Sequence, residues 1–199
     1  MNYLFYILEA LLGYLLGSIS FSVILSKIRY NVDVRTEGSG NAGATNVARV
    51  FGMKAGLFTL LFDVLKMVIP MVAGYYLSGA WGVTIAGVGG IVGHCFPLYF
   101  GFKGGKGVSV AATIAAFIDW RVLVISLLVF IIFVLITRIV SISSCLAVLS
   151  VLITTIIFCY GEWAQITLAL FTAVLVIFMH RSNLVRLARG EEKKFSPKK

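Results

Sequence analysis

The chain has 199 residues, of which 60% are hydrophobic with glycine left out and only 13% are charged. Ordinary soluble domains reach roughly 45–50% apolar with glycine counted, so a water-soluble globule is excluded. The formal net charge of +9 therefore points away from nucleic acid as a partner and toward membrane asymmetry and anionic ligands.

In chain order, the first apolar stretch is 3–26. It lacks a basic n-region and an A-x-A cleavage site, so it is expected to remain as a first membrane helix. A long polar segment follows, and then come apolar stretches at 55–77, 82–100, 107–118, 121–137, 140–160 and 163–180, each bounded by charge, glycine or proline. The expected fold class is all-α: a polytopic integral membrane protein with seven transmembrane helices. Residues 1–199 form one membrane-embedded domain, and about 184–199 form a short basic tail. The stretch 107–118 is the short one, since twelve residues rise about 18 Å against a hydrocarbon core of about 30 Å. Cys95, Cys145 and Cys159 form no CxxC pair and read as buried free thiols.

Charge distribution tests whether the short stretch crosses. With seven crossings, Lys27, Arg29, Arg35, Arg49, Lys54, Lys103, Lys106, Arg138, Arg181 and the tail share one side, and Arg121 stands alone on the other. Basic residues accumulate in cytoplasmic loops, so the N-terminus is expected outside and the C-terminus in the cytoplasm. Three polar loops then meet at the cytoplasmic face.

The first loop, Glu37 to Arg49, is rich in small residues that let backbone amides approach an anion. Ser39, Gly40, Asn41, Thr45 and Asn46 are its candidate ligand-binding residues, and Arg49 adds a planar fork for phosphate oxygens. The second, Gly101-Phe102-Lys103-Gly104-Gly105-Lys106-Gly107, precedes the short helix. It is no Walker A motif, because Phe100 and Gly107 stand where that pattern needs Gly and Ser or Thr. Amides at a helix N-terminus and two ammonium groups still favour an anion, although Lys103 and Lys106 also fit simple topology anchors. The third cluster joins Ser141, Ser143 and Ser144 to His180-Arg181-Ser182-Asn183, with His180 and Asn183 three apart on one helical face.

Asp63 and Lys66 are also three apart, inside the second span, where unpaired charge is expensive. They are expected to pair, with a functional role and a helix-positioning role equally open, and His94 before Pro97 reads as a loop organiser. There is no HExxH, CxxC pair, GxSxG elbow or His followed four residues later by Asp, so metal and triad chemistry find no candidate ligands and no cofactor is expected.

The strings GSGNAGATNVAR at Gly38 to Arg49, GHCFPLYFGFKGGKGV at Gly93 to Val108, HRSNLVRLARGEE at His180 to Glu192 and FDVLK at Phe62 to Lys66 together resemble the bacterial acyl-phosphate-dependent glycerol-3-phosphate acyltransferases. Met67 departs from the glycine expected after FDVLK. The resemblance implies acyl transfer from acyl phosphate to the sn-1 hydroxyl of glycerol 3-phosphate at the bacterial inner membrane, as the first step of phospholipid synthesis. It implies a functional link to an enzyme that forms acyl phosphate, and a monomer. By motif position, it implies that Ser39, Arg49, Lys106, Ser141, His180 and Asn183 bind substrate phosphates or align the hydroxyl. Gly104 and Gly105 would shape the glycerol-phosphate loop, and Glu192 would brace the cytoplasmic end.

Whether His180 or a substrate phosphate takes the hydroxyl proton stays open at this point. So do two other function classes. An organic-phosphate transporter would place binding groups near the midplane, often with repeated halves; a scaffold holding anionic headgroups would use the same cations. The polar motifs gather at one surface without a repeat, which favours the enzyme.

Overall fold

In the computed structural model, which describes residues 3–196, there is no β-strand among those residues. The helices are α1 (Tyr3–Gly17), α2 (Phe21–Tyr30), α3 (Ala44–Phe51), α4 (Met53–Cys95), α5 (Val108–Ile118), α6 (Trp120–Thr137), α7 (Val140–Phe158), α8 (Trp163–Met179) and α9 (Arg181–Ala188). Among the described residues, four stretches are long and apolar enough to cross a membrane: Tyr3–Tyr30, Met53–Phe100, Trp120–Thr137 and Val140–Phe158. Trp163–Met179 makes a fifth with Arg181–Ala188, across a bend of 55°. Outward-facing Leu128, Ile132, Leu135 and Ile136 on α6, Ile153 and Ile157 on α7, and Leu170 and Val174 on α8 give the bundle a greasy exterior. Lipid accepts such a surface, and water does not.

The 43 residues of α4 are a hairpin of two limbs, 53–77 and 80–95, because Ser78 and Gly79 leave helical dihedrals and Gly79 takes φ +62°. The limbs cross closely at Gly74 and Gly82, where a Cβ on either would strike the carbonyl of the other. The expected stretches 55–77 and 82–100 fall on these two limbs, the second ending at Cys95 before a 3-10 turn, Leu98–Phe100.

The first stretch departs from the continuous helix expected over 3–26. Ser18 to Ser20 interrupt it between α1 and α2, with Ser20 Oγ bonded to Ser22 Oγ at 3.0 Å. The freed Ile19 carbonyl accepts a hydrogen bond from Lys66 Nζ at 2.7 Å. Another departure is α3, which folds inside what reads as an irregular loop. The tail is the third. Instead of leaving the bundle, it forms α9 and then turns back, with Phe195 N donating to the Arg138 carbonyl at 2.7 Å.

Short α5 sits at the centre of the bundle, with seven of its eleven residues buried. It packs against α4, α6, α7 and α8, and Val110 and Ile114 join Met67, Ile91, Val148, Leu168 and Val176 in the core. A helix rising only about 17 Å is tolerable at membrane depth because protein, rather than lipid, surrounds its ends.

Candidate active site

The polar loops converge on one cavity of about 580 Å³. Its polar end is lined by Ser39, Asn41, Thr45, Asn46, Arg49, Lys106, Ser141, His180 and Asn183. From there an apolar trench runs into the bundle along Leu57 and Leu60 of α4, Ala112 of α5, Leu127, Phe130 and Val134 of α6, and Val148 and Val151 of α7.

The first loop is built around Asn46, which is buried. Its Nδ2 donates to the carbonyls of Val34 at 3.0 Å and Glu37 at 2.9 Å, while its Oδ1 accepts from Ser39 N at 2.8 Å and from Arg49 Nη1 at 3.4 Å. Asn46 therefore spends its capacity on folding the loop and orienting Arg49. The loop is clamped to the second one by Arg35, which donates through Nη1 to the Phe100 carbonyl at 2.6 Å and grips the Asp33 carboxylate through Nε and Nη2 at 2.9 and 2.8 Å. Those bonds hold the Asp33 carboxyl well below the usual carboxylate range.

In the second loop the amides of Gly104 and Gly105 donate to the carbonyls of Cys95 and His94, so they are not free for an anion. A Cβ on Gly104 would strike the His94 carbonyl, and one on Gly105 the His94 ring. Both glycines are needed for close approach behind the cavity. Gly40 also lies off the cavity lining, in a turn bonded to the Glu37 carbonyl. Gly107 takes φ +82° and starts α5, which brings the helix N-terminus and Lys106 to the cavity together.

Lys106 Nζ donates to Asn183 Oδ1. Asn183 Nδ2 donates to Glu192 Oε1 at 2.6 Å, as Ser141 Oγ does at 2.8 Å, and Arg186 Nε holds Oε2 at 2.9 Å. Burial works to raise the Glu192 carboxyl, but these three donors outweigh it and keep it ionised. Burial pulls the Lys106 ammonium down to about 8; Glu192 opposes the fall, and Arg186 and Arg49 add to it. Just past the end of α8, His180 Nδ1 lies 2.8 Å from the Val176 carbonyl oxygen. A carbonyl only accepts, so Nδ1 carries the proton and Nε2 is an acceptor. Burial, reinforced by Lys106, brings this imidazole to about 4, and it is neutral at pH 7.

With this geometry in view, the resemblance to known proteins is close and nearly complete in length. Residues 7–190 match the family described as Glycerol-3-phosphate acyltransferase. The chain belongs to the glycerol-3-phosphate acyltransferase family. The glycerol-3-phosphate acyltransferase of Finegoldia magna is 37% identical over 194 residues, covering 98% of both chains. That of Shouchella clausii is 40% identical over 198 residues, covering 96% of this chain and 97% of the relative. A crystal structure of PlsY (YgiH), an integral membrane glycerol 3-phosphate acyltransferase, in its glycerol 3-phosphate form, superposes with a TM-score of 0.90 at 35% identity, covering 96% of each chain. Its lysophosphatidic acid form gives 0.87 at 33% identity, covering 96% of this chain and 95% of that one.

Several cavity residues of this acyltransferase escape a reading of its sequence. Arg186 stands one helical turn after Asn183, a spacing that could have flagged it. Lys193 and Phe195 also line the cavity, and only the backward turn of the tail brings them there.

Proposed function

We propose that this multi-pass membrane acyltransferase moves a fatty acyl group from acyl phosphate to the sn-1 hydroxyl of glycerol 3-phosphate, releasing 1-acylglycerol 3-phosphate and inorganic phosphate. One observation carries the reading: a single cavity joins the cations Arg49, Lys106 and Arg186 to an apolar trench through Leu60, Phe130 and Val151. Two phosphoryl groups need several cations, and one fatty chain needs a greasy slot. Acyl phosphate is a mixed anhydride with a good leaving group, so positioning and charge neutralisation supply much of the barrier reduction.

In this reading Lys106 and Arg49 neutralise the phosphates, with Ser39, Asn41 and Thr45 donating to their oxygens, while Ser141, whose hydroxyl hydrogen is on Glu192, fixes that carboxylate beside them. His180 Nε2 and Asn183 align the glycerol hydroxyl. The hydroxyl oxygen attacks the acyl carbon, the bond from acyl carbon to phosphate oxygen breaks, and a phosphate oxygen receives the proton. The His180 ring is held through Nδ1 by the Val176 carbonyl at 2.8 Å, with no carboxylate bonded to it to orient it as a base, which leaves the phosphate oxygen as the acceptor.

Seven segments cross the bacterial inner membrane: α1 with α2, both limbs of α4, then α5, α6, α7 and α8. The N-terminus is outside and the site faces the cytoplasm, where Lys27, Arg49, Lys54, Lys103, Lys106, Arg138 and Arg181 gather and Arg121 does not. One chain, folded as one domain, lines the whole cavity and works as a monomer. An enzyme that phosphorylates acyl groups must supply the donor.

The test is phosphate release from palmitoyl phosphate by purified protein in detergent, with and without glycerol 3-phosphate. Release and lysophosphatidate should require both substrates, and palmitoyl-CoA should not replace the donor. Equal turnover with palmitoyl-CoA, or transport in vesicles without turnover in detergent, refutes the reading.

The pH profile separates the roles of Lys106 and His180. The Lys106 value is lowered, so its charge is lost as pH rises through about 8. Above that pH, kcat/KM for acyl phosphate should fall about tenfold per unit. An acid limb near pH 6 should survive in His180→Gln if phosphate takes the proton. Its disappearance there would assign the proton to the imidazole.

A further inference from the structure

Along the inner wall of the cavity, which His94 and Ser109 help to line, and apart from every group placed on the substrates above, lies a buried polar chain. Lys66 Nζ stands 2.9 Å from Asp63 Oδ1 and 3.1 Å from His94 Nδ1, and Ser109 Oγ donates to Asp63 Oδ2 at 3.4 Å. All four residues are buried. Two charges removed from water inside a bundle are a weak source of stability, since their mutual attraction roughly repays their desolvation. Such a pair needs another reason to be there, and its neighbours supply one.

The glycine-rich loop leaves the second limb of α4 just after His94 and enters α5 just before Ser109. The ion pair holds both ends. On the entry side, Lys66 fixes the His94 ring, against which Gly105 packs without room for a Cβ. The backbone carbonyls of His94 and Cys95 receive the amides of Gly105 and Gly104 at 3.1 and 3.2 Å. On the exit side, Asp63 fixes the first turn of α5. Lys66 also reaches the Ile19 carbonyl at the interruption after α1, so the same ammonium ties the loop to the outer helix.

We propose that Asp63 and Lys66, acting through His94 and Ser109, are positioning residues that set the height of the glycine-rich loop and hence the place of Lys106 and the α5 N-terminus over the substrate phosphate. The inference rests on the phosphate-binding role given to that loop. A displacement of about 1 Å at such a loop costs an order of magnitude or more in kcat/KM.

The test uses the full chain in detergent with Lys66→Met, and with Asp63→Asn/Lys66→Met, which removes both buried charges together and keeps the question answerable if the single variant misfolds. Two readouts are taken. The value of kcat/KM should fall about tenfold, KM rising and kcat falling together, because the displaced Lys106 serves both the bound phosphate and the transition state. Amide exchange at Gly104 and Gly105 should quicken about tenfold, with α7 and α8 unchanged. An unchanged kcat/KM with unchanged exchange in the double variant overturns the proposal. Loosening of α7 and α8 as much as of the loop also overturns it, because the pair would then hold the bundle as a whole. Exchange needs no turnover, so a parent chain that fails to acylate glycerol 3-phosphate refutes the functional reading and leaves the loop tether to be judged by exchange alone.

Discussion

Lys106→Met should lower kcat/KM about a thousandfold while leaving the fold intact. Methionine keeps the length of the side chain and removes only its charge. Lys106 stands where the second loop, the start of α5 and the third cluster meet, with its ammonium on Asn183 and Arg49 lining the same cavity. A cation aimed at a phosphate that gains charge as its bond to the acyl carbon breaks is worth more in the transition state than in the ground state. Removal of one such preorganised partner costs roughly a hundredfold to a thousandfold. The fold should survive because Glu192 keeps its bonds from Asn183, Ser141 and Arg186. Lys106→Arg should rescue little, since a planar fork cannot occupy a tight contact with Asn183 Oδ1 made by a point charge. Lys103→Met is the control. That residue is exposed, and it is its carbonyl that Arg35 uses, so kcat/KM should change by less than about twofold. Steady-state kinetics beside thermal melts in detergent decide the matter, and an equal loss in both variants would deny Lys106 its special place.

The same contrast marks what a sequence can and cannot convey. Apolar runs bounded by charge locate α6, α7 and α8 within a few residues because length and hydropathy alone decide where a helix can sit in lipid. The pairing of Asp63 with Lys66 was legible for a similar reason: two charges three apart in a span have few other partners. Asn46 was not legible. Its amide reads as a ligand donor, yet four bonds within its own loop consume it. Gly104 and Gly105 read as residues that shape the glycerol-phosphate loop, but that their N–H groups and the space over their Cα atoms belong to His94 and Cys95 is visible only in the fold. In each case the residue type announces polar or close-approach chemistry, and only the fold decides between ligand and backbone as its partner. The tail is a related case. It reads as a short basic tail with Glu192 bracing the cytoplasmic end, but that three donors draw this carboxylate back into the cavity is visible only in the fold. The break after α1 has no proline to announce it. The carbonyl it frees at Ile19 is taken by an ammonium on α4, 47 residues away in sequence.

Gly17→Leu should cost roughly 3 kcal/mol of stability and should loosen the site from a distance. Gly13 and Gly17 on α1 face Ala86 and Gly90 on the second limb of α4, while Gly89 and Gly93 face Ala10 and Tyr14 in return. These are two G-x-x-x-G spacings meeting across one seam, and small residues at such a seam let helix backbones touch where lipid offers no hydrophobic drive to bring them together. A Cβ on Gly17 would strike the Gly90 carbonyl, and the limb cannot retreat, because Gly90 itself rests against Met67, which is fully buried. The helix must therefore move outward. Two residues further on is Ile19, whose carbonyl holds Lys66, so the displacement pulls on the ion pair beneath the glycine-rich loop. The expected result is a lower melting temperature together with a raised KM, measured on the same detergent preparation. Leu15→Ala, on the exposed face of α1, should move neither by much. If Gly17→Leu melts with the parent, α1 is held by something other than this seam. If it melts lower but keeps the parental KM, the link from Ile19 through Lys66 to the loop carries no load.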